Sequence, residues 1–302
     1  MNGAEWIEIA PEVSEALREG RAVVALETTL VAHGFPPGVG EEVGSEVDAR
    51  VHKEGAVPAT VGVLDGVVRV GIGPEELERF THDARKVGPR DLAACAVQGA
   101  VGATTAGATL AVCRAAGIRF MATGGLGGVH RGFPSLLDIS ADLGELARAQ
   151  TLVVSSGVKS LLDVSATAEL LETLGVPVLG WRTDELPLFY AAGGGPAVSA
   201  RVEAAPEAAR IAAGHWRLGG AGLLLVRPPD ESLEDLEPLI ERALAQARGQ
   251  GVTGQGVTPF VLSRINEESS GRTVAANREL VAANAALAAN VATAAAQLPD
   301  RF

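Results

Sequence analysis

Short apolar runs alternate with longer amphipathic segments along most of the chain. Runs typical of buried strands cover residues 22–26, 118–122, 151–155, 176–181 and 222–226. Between them the apolar spacing predicts helices over residues 40–54, 91–99, 104–116, 138–149, 160–174, 206–218, 233–248 and 272–297. Such alternation is typical of a parallel sheet with helices on both faces. The sequence therefore predicts a three-layer α/β/α fold around a mostly parallel sheet.

One segment departs from this alternation. Residues 60–72 place Asp65-Gly66 between two β-rich runs, and Asp-Gly at that position is a strong signal for a two-residue hairpin. An antiparallel hairpin added to parallel strands makes the predicted sheet mixed. Since no repeat, linker or change in composition divides the sequence, we predict a single domain over residues 1–302.

Polar segments follow three of the predicted strands. Glu27 comes directly after the first, the loop ATGGLGGVHRG (residues 122–132) continues the second, and Lys159 lies shortly after the third. Because the carboxyl ends of parallel strands meet at one edge of a sheet, where ligands bind, we expect these three segments to lie together. The sequence thus predicts a site at this edge.

The glycine-rich loop does not match either common nucleotide motif. Read as a dinucleotide fingerprint from Gly125, it has His130 at the position of the third glycine, and it lacks the Gly-Lys-Ser/Thr of a phosphate-binding P-loop. Two interpretations remain: a turn at which a ligand approaches the backbone closely, or a structural loop. His130 and Arg131 favour a functional role without deciding it.

Lysine is rare in this chain, which has Lys53, Lys86 and Lys159 among 25 basic residues. An amine at the end of a buried strand is partly desolvated, which favours its neutral, nucleophilic form, so Lys159 is a candidate nucleophile. The alternative is a lysine in the first turn of the next helix, where the helix dipole disfavours a cation. Lys86 lies in a basic loop and either contacts an anion or is solvated, and Lys53 is predicted to be solvated.

Carboxylates supply the remaining candidates. Glu27 is placed for general acid or base chemistry, or for an ion pair with an arginine. Asp138 caps the predicted helix at residues 138–149, with Asp142 in its first turn, or else holds a divalent ion while Ser140 and nearby N–H groups receive a phosphate. Together these groups indicate an enzyme that uses amine chemistry on a sugar phosphate.

Composition narrows the class of protein. The chain has 302 residues, 47% apolar and 21% charged, with a formal net charge of −12, which argues against broad nucleic-acid binding. Cys95 and Cys113 lack zinc spacing and are expected to be buried thiols. Neither a signal peptide nor a run of about eighteen apolar residues is evident. We expect a soluble, cytoplasmic protein.

Several motifs resemble those of the pseudouridine-5′-phosphate glycosidase family. They are ALETTLVAHG (25–34), GAVPAT (55–60), GATT (102–105), ATGGLGGVHRG (122–132), DISAD (138–142) and TPF (258–260). The resemblance implies reversible cleavage of the C–C glycosidic bond of pseudouridine 5′-phosphate to uracil and ribose 5-phosphate. It also implies an α/β/α fold, a homotrimer and a divalent cation, typically Mn²⁺.

The resemblance also implies roles for individual residues. Lys159 would be the nucleophile that forms an imine at C1′, Glu27 the proton donor to the ribose ring oxygen, His130 an active-site histidine and Asp138 the metal ligand. Asn284 would lie near the base, although its usual neighbouring asparagine is Ala283 here. The remaining substrate contacts would be Lys86, Ala106, Ser140, Ala141 and Asp142.

Two other functions use the same residues. A Schiff-base lyase or aldolase acting on another sugar phosphate would need Lys159 but no uracil pocket. A regulatory protein that only binds a sugar phosphate gives Glu27 and Lys159 no reason to share one edge of the sheet.

Overall fold

The computed structural model describes residues 6–133 and 137–299. The strands in these ranges are β1 Ile7–Ile9, β2 Val23–Glu27, β3 Val57–Leu64, β4 Val67–Val70, β5 Arg85–Val87, β6 Gly102–Thr104, β7 Phe120–Ala122, β8 Val129–His130, β9 Leu152–Ser155, β10 Leu162–Asp163, β11 Val178–Trp181, β12 Ala200–Val202 and β13 Leu223–Val226.

The α-helices in the same part of the chain are α1 Pro11–Glu19, α2 Thr29–His33, α3 Val39–Lys53, α4 Pro74–Leu77, α5 Leu92–Val97, α6 Ala106–Ala116, α7 Ala141–Leu146, α8 Val164–Thr173, α9 Ala205–Arg217, α10 Glu237–Gly249, α11 Val257–Glu268 and α12 Arg272–Ala296.

The central sheet has the strand order β1-β4-β3-β2-β7-β9-β13-β11-β12. From β3 to β12 every neighbouring pair in this order is parallel. The strands β2, β9 and β13 are buried along their whole length, as expected for parallel strands covered on both faces. The predicted mostly parallel, mixed α/β sheet is therefore confirmed.

The predicted hairpin is also present. β3 and β4 pair antiparallel around Asp65 and Gly66, which both have positive φ (52° and 81°), the conformation that Asp-Gly hairpin turns adopt. β6 pairs with β3 at Gly62 and Val63, just beyond the point at which β2 ends, and β5 pairs with β6. This extension brings residues from β5 and β6 close to the end of β2.

Helices cover both faces of the sheet. α3, α9 and α12 form one layer, in which α12 contacts both other helices and β2, β7 and β9. α6 packs against α7 and against β2 and β3. One helix, Arg272–Ala296, is long and apolar enough to cross a membrane, but 56% of its apolar window is buried inside the protein. Its contacts are those of a core helix.

The structure corrects several predicted boundaries and adds elements. The helix predicted at 160–174 begins only at Val164, after the short strand β10, and is capped by the Asp163 side chain, which accepts a hydrogen bond from the Ala166 N–H at 2.9 Å. The helix predicted at 104–116 begins at Ala106 and is capped by the Thr105 side chain, which accepts a hydrogen bond from the Ala108 N–H. β1, α1 and α11 were not predicted. Cys95 and Cys113 are free and buried, as expected.

Candidate active site

A cavity of about 760 Å³ opens beyond the carboxyl ends of β2, β7 and β9. Glu27, Lys86, His130 and Lys159 all line it. The volume lies within the range of small-molecule sites. The structure thus brings together the groups that sequence reasoning placed at one edge of the sheet.

Glu27 is the last residue of β2 and is only 8% exposed. The Thr123 hydroxyl donates a hydrogen bond to its Oε1. Burial raises the pKa of the Glu27 carboxyl, while the nearby charge of Lys159 and the Thr123 hydrogen bond act in the opposite direction. A carboxyl that keeps its proton more readily than usual is suited to be a proton donor.

Lys86 lies in β5 and reaches the same cavity through the extension of the sheet. Burial, reinforced by the charge of Lys159, lowers the pKa of Lys86 to about 8, whereas Asp142 and Glu27 raise it. An amine with this pKa exchanges protons readily near neutral pH. The predicted alternative of a solvated loop lysine is therefore wrong, because Lys86 is largely buried in the cavity wall.

Lys159 lies in the loop between β9 and β10 and is half-buried. Its backbone N–H donates to the Leu126 carbonyl at 3.1 Å, and its carbonyl accepts from the Leu162 N–H at 2.9 Å. The alternative of a lysine in the first turn of a helix is wrong, since α8 begins at Val164. Instead, one backbone hydrogen bond joins Lys159 to Leu126 of the glycine-rich loop, and the other joins it to Leu162 at the start of β10.

The glycines of this loop allow close packing of the cavity wall. A Cβ at Gly127 would lie 2.4 Å from the Ser140 Oγ and 2.7 Å from the Asp142 Oδ2, and a Cβ at Gly125 would lie 2.5 Å from the Phe189 ring. Neither glycine has a positive φ. These glycines are thus required by close approach of neighbouring protein groups, which is the structural interpretation. Approach of a ligand to this loop stays a prediction.

The start of α7 forms another wall, lined by Asp138, Ser140, Ala141 and Asp142. Ser140 is the N-cap, with its side chain accepting from the Asp142 N–H at 3.2 Å. The predicted cap at Asp138 is therefore wrong, because the helix begins at Ala141. Asp138 is left at the cavity, two residues before the cap.

Asp142 joins two segments of the wall. Its Oδ1 accepts from the Gly107 N–H at 2.8 Å and its Oδ2 from the Gly127 N–H at 2.9 Å. Gly107 lies in the first turn of α6, beside Ala106, which lines the cavity. Asp142 therefore fixes the start of α6 and the glycine-rich loop in position relative to each other.

His130 and Asp138 face each other across the loop. The His130 N–H of the backbone donates to the Asp138 carbonyl at 2.9 Å, and the His130 Nδ1 lies 3.8 Å from the Asp138 Oδ2. Burial lowers the pKa of the His130 imidazole, the Asp138 carboxylate opposes this, and Lys159 and Lys86 reinforce it.

The residues around Asp138 permit one kind of metal site. In residues 6–133 and 137–299, no group of three or more His, Cys, Asp or Glu side chains could hold a metal ion. A cation at Asp138 would therefore complete its coordination with water and substrate oxygens. Hard divalent cations bind in this way beside phosphates, so the single carboxylate fits such a cation.

Two asparagines of α12, Asn277 and Asn284, have different surroundings. Asn284 is fully buried and does not line the cavity; its Nδ2 donates to the Thr123 carbonyl at 2.9 Å and to the Ser156 Oγ at 3.1 Å. Asn277 does line the cavity and is 6% exposed. Within the described residues, its buried Oδ1 has no hydrogen-bond partner. Asn277 is thus better placed than Asn284 to contact a ligand.

Sequence reasoning also missed Thr123 and Phe189 as wall residues. α11 adds Thr258 and Pro259 at the cavity, and the TPF motif at residues 258–260 was the available signal for this contribution.

Comparison with known proteins shows the family of the chain. The family model described as indigoidine synthase A like protein matches residues 12–294. A pseudouridine-5′-phosphate glycosidase from Sorangium cellulosum is 45% identical over 305 residues, covering 99% of this chain and 96% of the relative. One from Herpetosiphon aurantiacus is 46% identical over 294 residues, covering 95% and 97%.

A solved structure has the same fold. The prealnumycin C-glycosynthase in complex with ribulose 5-phosphate is 37% identical, with a TM-score of 0.86 and 97% of each chain covered. The family resemblance expected from the sequence motifs is thus confirmed over nearly the whole length. The chain belongs to the indigoidine synthase A like family, together with relatives named pseudouridine-5′-phosphate glycosidase.

Proposed function

We propose that this protein is a pseudouridine-5′-phosphate glycosidase, which reversibly converts pseudouridine 5′-phosphate and water into uracil and ribose 5-phosphate. The observation that carries the proposal is that Lys159 and the buried acid Glu27 line one cavity and interact electrostatically. Relatives of 45% and 46% identity carry this name. A non-catalytic sugar-phosphate-binding protein would not need this pair.

The bond to be broken determines the chemistry. A C–C glycosidic bond has no leaving-group oxygen or nitrogen, so protonation of the leaving atom alone is a poor route. Glu27 gives its proton to the ribose ring oxygen as the C1′–O bond breaks, and the electron pair stays on that oxygen. The neutral Lys159 amine forms a bond to C1′ and loses a proton.

Release of uracil follows from this adduct. Protonation of uracil C5 lets the nitrogen lone pair expel the base as the C1′–C5 bond breaks, leaving a lysine iminium at C1′. Water hydrolyses the iminium to ribose 5-phosphate and regenerates the amine. Lys86, with a pKa of about 8, is placed to exchange protons during these steps.

The other walls bind the two ends of the substrate. The first turn of α6 at Ala106 and that of α7 at Ala141 place backbone N–H groups at the cavity, which suit a phosphate. Ser140 and Asp142 flank the second of these, and their own N–H groups donate to the Gly128 carbonyl and the Ser140 hydroxyl. Asp138 would hold a divalent cation, with Mn²⁺ as the proposed ion, and this cation would neutralise phosphate charge. The unpartnered Asn277 Oδ1 suits an N–H of uracil.

The homotrimer is also a proposal, which rests on the family resemblance, and the cytoplasmic location is one that rests on the sequence alone. Light scattering on the purified protein tests the trimer by its mass.

The direct test incubates the protein with pseudouridine 5′-phosphate and Mn²⁺ and measures uracil. Borohydride added during turnover should attach the sugar phosphate to Lys159, as identified by peptide mass spectrometry. Lys159→Ala should abolish both signals, while Lys53→Ala, which changes an exposed lysine at the end of α3, should keep them. Full turnover by Lys159→Ala would refute the proposal.

The alternative lyase or aldolase is tested in the same assay. Such an enzyme would turn over deoxyribose 5-phosphate, also through Lys159, and would release no uracil from pseudouridine 5′-phosphate. The proposed enzyme should show the opposite preference.

A further inference from the structure

Arg131 follows the active-site histidine but has no role in the chemistry proposed above. Its guanidinium is one-quarter exposed and uses all three of its nitrogens in hydrogen bonds. Nε donates to the Leu162 carbonyl at 3.3 Å, Nη2 donates to the Ser160 carbonyl at 2.7 Å, and Nη1 donates to Glu237 at 2.6 Å and also to Glu241.

The two carbonyls belong to the loop that carries Lys159. Ser160 is the next residue, and Leu162 donates its own N–H to the Lys159 carbonyl at 2.9 Å. β8 and β10 pair His130 with Leu162, so the loop is also joined to the glycine-rich segment through its backbone. Arg131 thus holds the Lys159 loop through the Ser160 and Leu162 carbonyls, in addition to the backbone hydrogen bond that the Lys159 N–H donates to the Leu126 carbonyl.

The two carboxylates belong to α10, one turn apart. α10 packs against α11, and α11 contributes Thr258 and Leu262 to the cavity wall. The Arg131 guanidinium therefore connects the Lys159 loop with the pair of helices α10 and α11. A planar fork of donors can satisfy two carbonyls and two carboxylates at once, whereas the single ammonium of a lysine cannot.

We propose that Arg131 is a positioning residue for the reaction, which holds the Lys159 loop so that the amine faces C1′ and the acid Glu27. This inference rests on the proposed role of Lys159. The pair Glu237 and Glu241 orients the guanidinium, and the contacts to Ser160 and Leu162 transmit that orientation to the loop. Small displacements of a reacting group can reduce turnover on the order of 100-fold.

The test compares wild type, Arg131→Ala and Arg131→Lys in uracil release from pseudouridine 5′-phosphate. We expect kcat to fall by about 10- to 100-fold in both variants with KM almost unchanged, because the substrate-binding walls stay in place. Added guanidinium ion should restore a large part of kcat to Arg131→Ala, because it replaces the planar set of N–H donors that the variant lacks. Ammonium at the same concentration should not restore kcat.

A matched control is Arg242→Ala, which removes the ion pair between Arg242 and Glu268 within the α10–α11 pair, at 2.8 Å, without touching the Lys159 loop. It should keep wild-type kcat. Wild-type kcat in Arg131→Lys, or a kcat loss in Arg131→Ala that guanidinium does not reverse, would overturn the inference.

The same experiment separates this inference from the proposed function. If borohydride fails to attach the sugar phosphate to Lys159 in wild type, the proposed function fails first. If wild type is trapped at Lys159 and the Arg131 variants turn over normally, only the positioning role of Arg131 fails.

Discussion

The end of β2 and the start of α7 each bring a buried carboxylate to the cavity, and their surroundings are opposite. Both oxygens of Asp142 accept backbone N–H groups, from Gly107 and Gly127. Glu27 receives a hydrogen bond from the Thr123 hydroxyl, and burial raises its pKa. Asp142 is therefore held in place by the fold, whereas Glu27 keeps its proton more readily and can donate it in a reaction.

Asn277 and Asn284 of α12 show the same contrast. Asn284 is satisfied by the Thr123 carbonyl and the Ser156 hydroxyl, while the Oδ1 of Asn277 is buried at the cavity with no partner among the described residues. Because an unpaired buried polar atom costs free energy, such atoms point to a ligand more strongly than satisfied ones. The contrast therefore separates side chains that stabilise the cavity walls from side chains that can interact with a ligand.

The largest effect is expected at Glu27. Glu27→Gln removes the proton donor and should lower kcat by about 10²- to 10⁴-fold, measured as uracil release. The folded protein should not be destabilised. Because the folded-state pKa of Glu27 is raised, the wild type loses stability as pH rises through that pKa. The variant should match wild type near pH 4 and be more stable at pH 8.

Asp48→Asn is the matched control for that variant. Asp48 is a partly buried carboxylate of α3 outside the main cavity, hydrogen-bonded by Thr60, and burial raises its pKa to about 6. Its variant avoids the loss of stability that the wild type undergoes as pH rises through that pKa, so it should also be more stable than wild type at pH 8, with unchanged kcat. An active Glu27→Gln enzyme would contradict the contrast between the two cavity carboxylates.

Asp142→Asn should act mainly on the fold. One N–H acceptor becomes an amide donor that opposes Gly107 or Gly127, which costs about 1–3 kcal/mol of unfolding free energy. Urea denaturation at pH 7 measures this loss. A fully stable but inactive Asp142→Asn protein would show that Asp142 is a chemical group after all, and would remove the distinction drawn above.

The sequence predicted the fold best where an element is buried on both faces, because burial makes its residues almost all apolar. Parallel strands covered on both faces are nearly continuous apolar runs, so β2, β7, β9, β11 and β13 were all found within two residues of their ends. β1 has three partly exposed residues and α11 buries only Val261 and Ile265 among its described side chains. Such weak local patterns depend on tertiary contacts and escape prediction.

The same limit applies within the site. Glu27 and Lys159 were found because they follow buried strands, and such residues converge at one edge of a parallel sheet. Asn277 and Asn284 are seven residues apart on one helix and therefore lie on the same side of it. Which of them reaches the cavity depends on where α12 crosses the sheet, and that is a property of packing alone.

Asn277→Leu should test the ligand-directed member of that pair. In the synthetic direction, loss of one neutral hydrogen bond should raise the KM for uracil by up to about tenfold, with the KM for ribose 5-phosphate unchanged. Asn290→Leu is the control, since Asn290 is exposed on the same helix and does not line the cavity. Equal changes in both KM values would place Asn277 away from the base.

The smallest effect is expected from Thr123→Val, which removes the hydrogen bond that lowers the pKa of Glu27. Without it the pKa of Glu27 rises further, while Lys159, Lys86 and Asp142 still face the carboxyl. Because cleavage requires protonated Glu27, the alkaline limb of the kcat/KM profile for pseudouridine 5′-phosphate should move to higher pH. Thr60→Val, which removes the hydrogen bond to Asp48 instead, should leave that limb in place. If the acid limb moves to higher pH in Thr123→Val while the alkaline limb stays in place, the enzyme uses Glu27 as a base, because a base must lose its proton before it acts.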